Sequence, residues 1–102
     1  MKLSEIIQEL RAVGAESVMV HYDGEGGDGV VEFDGVTPRT VKVAPRFQGQ
    51  IADWAADRLP DGWPDSDGSC GTVEIDVVAG KAVLHHSWRV MELDVQPEQE
   101  LT

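Results

Sequence analysis

The sequence predicts a two-layer α+β sandwich, an antiparallel sheet of four to five strands with two helices on one face, in the order α-β-β-(β)-α-β-β. Three observations carry that expectation. Leu3, Ile6, Ile7, Leu10 and Val13 recur at helical spacing, and so do Phe47, Ile51, Trp54, Ala55 and Leu59. Two pairs of segments alternate apolar and polar residues across short turn-forming connections, which is the pattern of hairpins and hence of antiparallel pairing. Two amphipathic helices need one apolar sheet face to cover, which leaves the other face open.

The first helix is expected from Ser4 to Val13, with Ser4 as N-cap, Glu5 in the first turn and Gly14 just past the end. Ser17 to Tyr22 then alternates Val18, Val20 and Tyr22 against Met19 and His21, as a strand does. Asp23 to Gly29 reads as a loop with four glycines and three acids, followed by a second strand from Val30 to Asp34 with Val31 and Phe33 on one face. A short third strand is expected over Thr40 to Val43, stopped by Pro45. The second helix ends at Pro60 and Gly62, and the loop from Pro60 to Ser69 is polar and turn-rich.

Thr72 to Val78 and Lys81 to Val90 form the last hairpin around Ala79-Gly80. That turn sets Val77 opposite Ala82, Ile75 opposite Leu84 and Val73 opposite His86 on the core side, with Trp88 on the same face. It sets Glu74 opposite His85 on the outer side. Residues 1–95 are expected to form one domain, and residues 96–102 a flexible acidic tail.

Nineteen Asp and Glu stand against eight Lys and Arg, a net charge of −11 on 102 residues. A field of that sign repels nucleic acid and anionic membranes and attracts basic protein surfaces. No apolar run approaches the roughly 20 residues of a membrane span. Cys70 is the only cysteine, so no intrachain disulfide forms, which suits a reducing cytoplasm. MKLSEIIQEL is amphipathic and acidic rather than a signal peptide. The expected location is the cytoplasm.

The loop over residues 23–29 joins two strands and lacks a Lys, so it is a poor phosphate cradle. Asp23, Glu25 and Asp28 offer hard oxygen ligands to calcium, but not at EF-hand spacing. A flexible hairpin tip with glycines at positive φ is the plainer reading. Asp65 and Asp67 echo the start of a calcium loop without its third acid or closing Glu. On the open sheet face, His21 and His85 with Glu32, Glu74 and Asp76 suggest zinc or an acid–base pair, against solvated cross-strand pairs. His86 reads as a core-edge histidine near Trp88, and Cys70 as structural. Trp63, in a loop between Gly62 and Pro64, is either a lid over the core or an exposed anchor for a partner. Arg39, Lys42 and Arg46 relieve the negative field locally and are too few to bind DNA. No nucleophile–base pair stands at motif spacing, so no catalytic residue, metal or cofactor is assigned.

The run Tyr22-Asp23-Gly24-Glu25-Gly26-Gly27-Asp28-Gly29, the later Asp67-Gly68-Ser69-Cys70-Gly71-Thr72-Val73 and the strand Val83-Leu84-His85-His86-Ser87 resemble a known family. It comprises the small acidic domains of unknown function of phages, plasmids and genomic islands, with a YDG-G-D-G hairpin, a helix and a glycine-containing GT-hydrophobic strand. The resemblance covers most of residues 5–93 and implies a mobile-element accessory protein, with no catalytic residue to carry over.

Charge and resemblance together lead to a non-enzymatic protein-binding module. It would inhibit a nucleic-acid-binding host defence complex, such as a CRISPR or restriction complex, by presenting a DNA-like negative surface. The residues expected to meet the partner are Asp23, Glu25, Asp28, Glu32, Asp65, Asp67, Glu74 and Asp76, with Trp63 as the apolar anchor. The alternatives are a calcium- or zinc-binding module and a small structural or regulatory domain. An open sheet face or edge also supports a homodimer.

Overall fold

A computed structural model describes residues 1–64, 68–89 and 93–101. The chain runs α1 (Leu3–Ala12), β1 (Ser17–Glu25), β2 (Asp28–Thr37), α2 (Pro45–Ala56), β3 (Ser69–Asp76), β4 (Lys81–Arg89), β5 (Leu93–Val95) and β6 (Gln99–Leu101). Every strand pairing is antiparallel, in the order β2-β1-β3-β4. Beyond β4, β5 pairs with Ser87–Arg89 and β6 with Ala82–Leu84. Buried residues of both helices share one core with Val18, Val20, Tyr22, Val73, Ile75 and Leu84, so both helices lie on the same side of the sheet. This is the expected α+β sandwich.

The helix α1 begins one residue earlier than expected. The backbone N–H of Lys2 donates to Glu5 Oε1 at 3.3 Å, so Lys2 holds the cap position and Ser4 lies inside the first turn. At the other end Ala15 N–H donates to Leu10 O at 2.9 Å and Gly14 N–H to Arg11 O at 3.1 Å, with Gly14 at φ 85°. This pair of bonds closes the helix in a Schellman motif. Arg11 then donates from Nε and Nη2 to Val77 O at 3.3 and 3.0 Å, tying the helix to the turn after β3. In α2, Pro45 occupies the first turn, where its missing N–H costs no bond.

The short strand expected at Thr40–Val43 does not form. Residues 38–44 are an irregular connection in which Val43 is buried and Val41 packs against the core. The alternation was real, but it came from packing. The segment leaves the edge strand β2 for α2, with no ladder to join.

The hairpin β1–β2 is longer than expected. Its strands continue to Glu25 and Asp28, and the turn is Gly26-Gly27 alone. Both glycines have positive φ, 62° and 89°, as a type I′ turn requires. Most of the expected flexible tip is paired strand. Between Met19 and Val20 the register slips, which leaves Asp34 as the extra residue of a bulge in β2.

The register of β3–β4 differs from the expectation by two residues. Ile75 faces Ala82, Val73 faces Leu84, Gly71 faces His86, and on the outer side Glu74 faces Val83 while Thr72 faces His85. The turn spans residues 77–80, held by Ala79 N–H donating to Asp76 Oδ1 at 2.9 Å. Side chains alternate with period two, so a slip of two changes every partner and no face.

The tail also departs from expectation. Gln99–Leu101 is strand β6, and Leu101 is 6% exposed within the core. Main-chain pairing along the free edge of β4, plus one buried leucine, fixes a segment too short to show any periodicity. Among the described residues no helix is long and apolar enough to cross a membrane.

Candidate functional site

One face of the sheet is covered by the helices, and the other is open. The pairings arrange the open face in rows. Met19 lies between Gly35 and Glu74, with Val83 and Glu100 beyond. His21 lies between Glu32 and Thr72, with His85 beyond. Asp23 lies between Val30 and Cys70, and Ser17 leads through Asp76 to Lys81. At the tip Glu25 stands directly opposite Asp28. Like charges in that position oppose hairpin formation by a fraction of a kcal/mol, ~0.2–1.

Asp23, Glu25, Asp28, Glu32, Glu74 and Asp76, assigned to partner contact from sequence, therefore share one surface, joined by Glu100 of β6. Asp65 and Asp67 lie outside the described residues. Against these acids the described part of the face sets Lys81 beside Asp76. Arg39 stands at the margin, in a depression of about 690 Å³ lined with Met19, Asp34, Gly35 and Glu74. The helical layer is different. On and beside its helices stand Glu5, Glu9, Glu16, Asp53, Asp57 and Asp61 with Lys2, Arg11, Arg46 and Arg58, a more even mixture of signs.

Trp63 belongs to the other side. Its ring lies over Gly24 and Gly29 on the inner face, where an added Cβ would come within 2.7 and 2.1 Å of the indole. Ser69 Oγ donates to Trp63 O at 2.7 Å, and Gly27 N–H donates to Pro64 O at 2.7 Å. The ring meets Tyr22 edge-on, with centroids 5.6 Å apart. Trp63 is thus a lid, and it is separated by the sheet from the acids it was grouped with. The glycines of the YDG-G-D-G run clear the space it fills.

Gly71 does the same for a feature that the sequence reading missed. The Tyr22 hydroxyl reaches across Gly71 to hydrogen-bond His86 Nδ1, and a Cβ at Gly71 would come within 2.6 Å of that hydroxyl. A glycine inside a strand was the available signal. Burial, with a smaller contribution from Cys70, pushes the Tyr22 hydroxyl pKa well up, and burial holds the His86 imidazole down. Both are uncharged at neutral pH. Trp88 meets His86 edge-on at 4.5 Å, as expected for a core-edge histidine.

The histidines of the open face do not converge. His21 faces Glu32 as expected, but His85 sits 3.9 Å from Glu98 rather than across from Glu74, and Thr72 separates the two rings' strands. Among the described residues no group of three or more His, Cys, Asp or Glu is placed to hold a metal ion.

The fold and this face define an α+β domain with one covered and one acidic, open sheet surface. Protein-family models, curated proteins and solved structures give no match to the chain.

Proposed function

We propose that the domain is a non-enzymatic binding module whose open sheet face docks on a basic protein surface. The observation that carries this reading is the segregation of charge. Among the described residues the acids of the uncovered face outnumber its Lys and Arg, while the helical layer carries the two signs in more even number. Such a face accelerates encounter with a cationic partner and loses that advantage as salt rises. Glu25 and Asp28 stand opposite each other on adjacent strands, ~5 Å apart, and the other acids are spread over neighbouring rows, an array that suits Lys and Arg side chains disposed to grip phosphates. The partner in this reading is a nucleic-acid-binding defence complex, and the domain occupies its nucleic-acid groove. The depression beside the bulge has Asp34 and Glu74 in its lining, with Arg39 beside them. A second copy is a poor occupant, because it would set this surface against its own like charges.

Capture of partners from a bacterial host lysate at low and high salt, read by mass spectrometry, tests the reading. A basic, nucleic-acid-binding partner should be retained at low salt, released at high salt, and lost with Asp28→Asn/Glu32→Gln/Glu74→Gln. Equal retention by that variant would contradict the proposal.

A further inference from the structure

On the covered side of the sheet, away from the acidic face, β4 borders a cleft of about 350 Å³. Leu84, Trp88 and Pro60 form its apolar wall, and the connection over residues 96–99 forms its mouth. His86 stands in that wall and is 4% exposed. Its Nδ1 is taken by the Tyr22 hydroxyl, while its Nε2 is buried and has no hydrogen-bond partner among the described residues.

The proton positions follow from counting donors. If the Tyr22 O–H donates to Nδ1, the imidazole carries its proton on Nε2 and one donor is left over. If Nδ1–H donates instead, the hydroxyl proton and the Nε2 lone pair both go without their bond among the described partners. The first arrangement leaves fewer buried groups unsatisfied. So the remaining His86 nitrogen is a buried N–H donor on a ring that lines the cleft beside Leu84, Trp88 and Pro60, with Gln96, Glu98 and Gln99 at the mouth. A buried donor without an acceptor is costly, which makes the site selective for molecules that supply one.

We propose that this cleft binds a small, flat, uncharged molecule bearing a hydrogen-bond acceptor, of the aryl-amide or azaheterocycle class, with the acceptor on His86 Nε2–H and the ring against Trp88. The volume fits one such ring system. The strongly negative field of the chain disfavours an anion. Ligand clefts commonly combine an apolar wall with a few polar groups, here His86 with Gln96, Glu98 and Gln99. The inference is independent of the acidic face.

Benzamide and benzene are the probes, followed by long-range 15N NMR of the imidazoles and by the Trp88 indole resonance in the intact protein. The free protein should show the Nε2–H form of His86. Benzamide should shift Nε2 and the indole saturably, and benzene, lacking the acceptor, should bind about tenfold more weakly or worse. Gln99→Trp, at an exposed strand position on the mouth, should abolish the benzamide shifts, and Pro97→Trp serves if that variant does not fold. A Nδ1–H form, an Nε2 that meets only water and ignores benzamide, equal binding of the two probes, or shifts that survive a plugged mouth would each overturn the proposal.

Discussion

The two faces of this sheet are written in alternate residues of the same strands, yet they are held to different standards. On the covered face Val20, Tyr22, Val73 and Leu84 are excluded from solvent, and a single added methyl at Gly29 or Gly71 would collide with Trp63 or Tyr22. On the open face Asp23, Glu32 and Glu74 occupy separate rows, add to the self-repulsion of the chain and lie outside the core. The contrast teaches where to look for function. Packing explains every large side chain of the inner face, including the tryptophan that sequence alone left between lid and anchor. The core does not include the outer acids.

The sharpest way to break the comparison is at the covered face. Gly71→Ala would place a Cβ 2.0 Å from the His85 carbonyl oxygen, in backbone that cannot move without the ladder. It is expected to destabilise by about 3 kcal/mol, the upper end for overpacking, in urea denaturation. Leu101→Ala removes the one buried side chain of β6 and should cost about 2 kcal/mol, which distinguishes a packed strand from a loose end.

Tyr22→Phe leaves His86 Nδ1 without its donor and should cost about 1–2 kcal/mol. The same pair shapes the pH dependence. The His86 pKa lies below its ordinary 6.5, so the folded state resists protonation that the unfolded chain accepts. Its stabilising contribution is therefore complete above 6.5 and falls as pH drops from there toward the lowered value. Tyr22 is shifted above its ordinary 10.0, so its contribution holds below 10.0 and is lost as pH rises past it. Tyr22→Phe should abolish the alkaline limb arising from this residue and leave the acid limb, as read from denaturation midpoints across both.

The smallest effects are expected on the open face. Glu32→Gln, Glu74→Gln and Asp28→Asn should each change stability by no more than about 0.5 kcal/mol, in the stabilising direction if repulsion dominates. A large loss in any of them would mean that the outer acids are structural and would remove the contrast.

What was legible in the sequence follows the same division. Face assignment was legible within the helices and the long strands, because a period of two or 3.6 survives errors in turn length, but not for Trp63, which lies in a loop without a period. Cross-strand partners were not. The β3–β4 turn begins after Asp76, whose side chain caps it, and Ala79-Gly80 occupies its last two positions. Thr40–Val43 shows the reverse error, an alternation imposed by packing without strand pairing. The glycines were visible as turn formers, but Gly24 and Gly29 serve a tryptophan far along the chain, and no local pattern announces that. Gln99–Leu101 is too short to carry a period, and its place depends on the edge it meets. Of the acids, those on β1, β2 and β3 could be set on one face by parity alone, whereas Glu100 could not, because its strand was not foreseen.

The most direct test is a titration of the 15N-labelled domain with hexa-arginine at low salt, followed residue by residue. Amides of the outward row positions of β1, β2 and β3, among them Met19, Glu32 and Glu74, should move together and return as salt is added. Comparable shifts around Glu5, Glu9, Asp53 and Asp57 would show that the negative field is not confined to the open face, and the case for a dedicated cationic partner would fail.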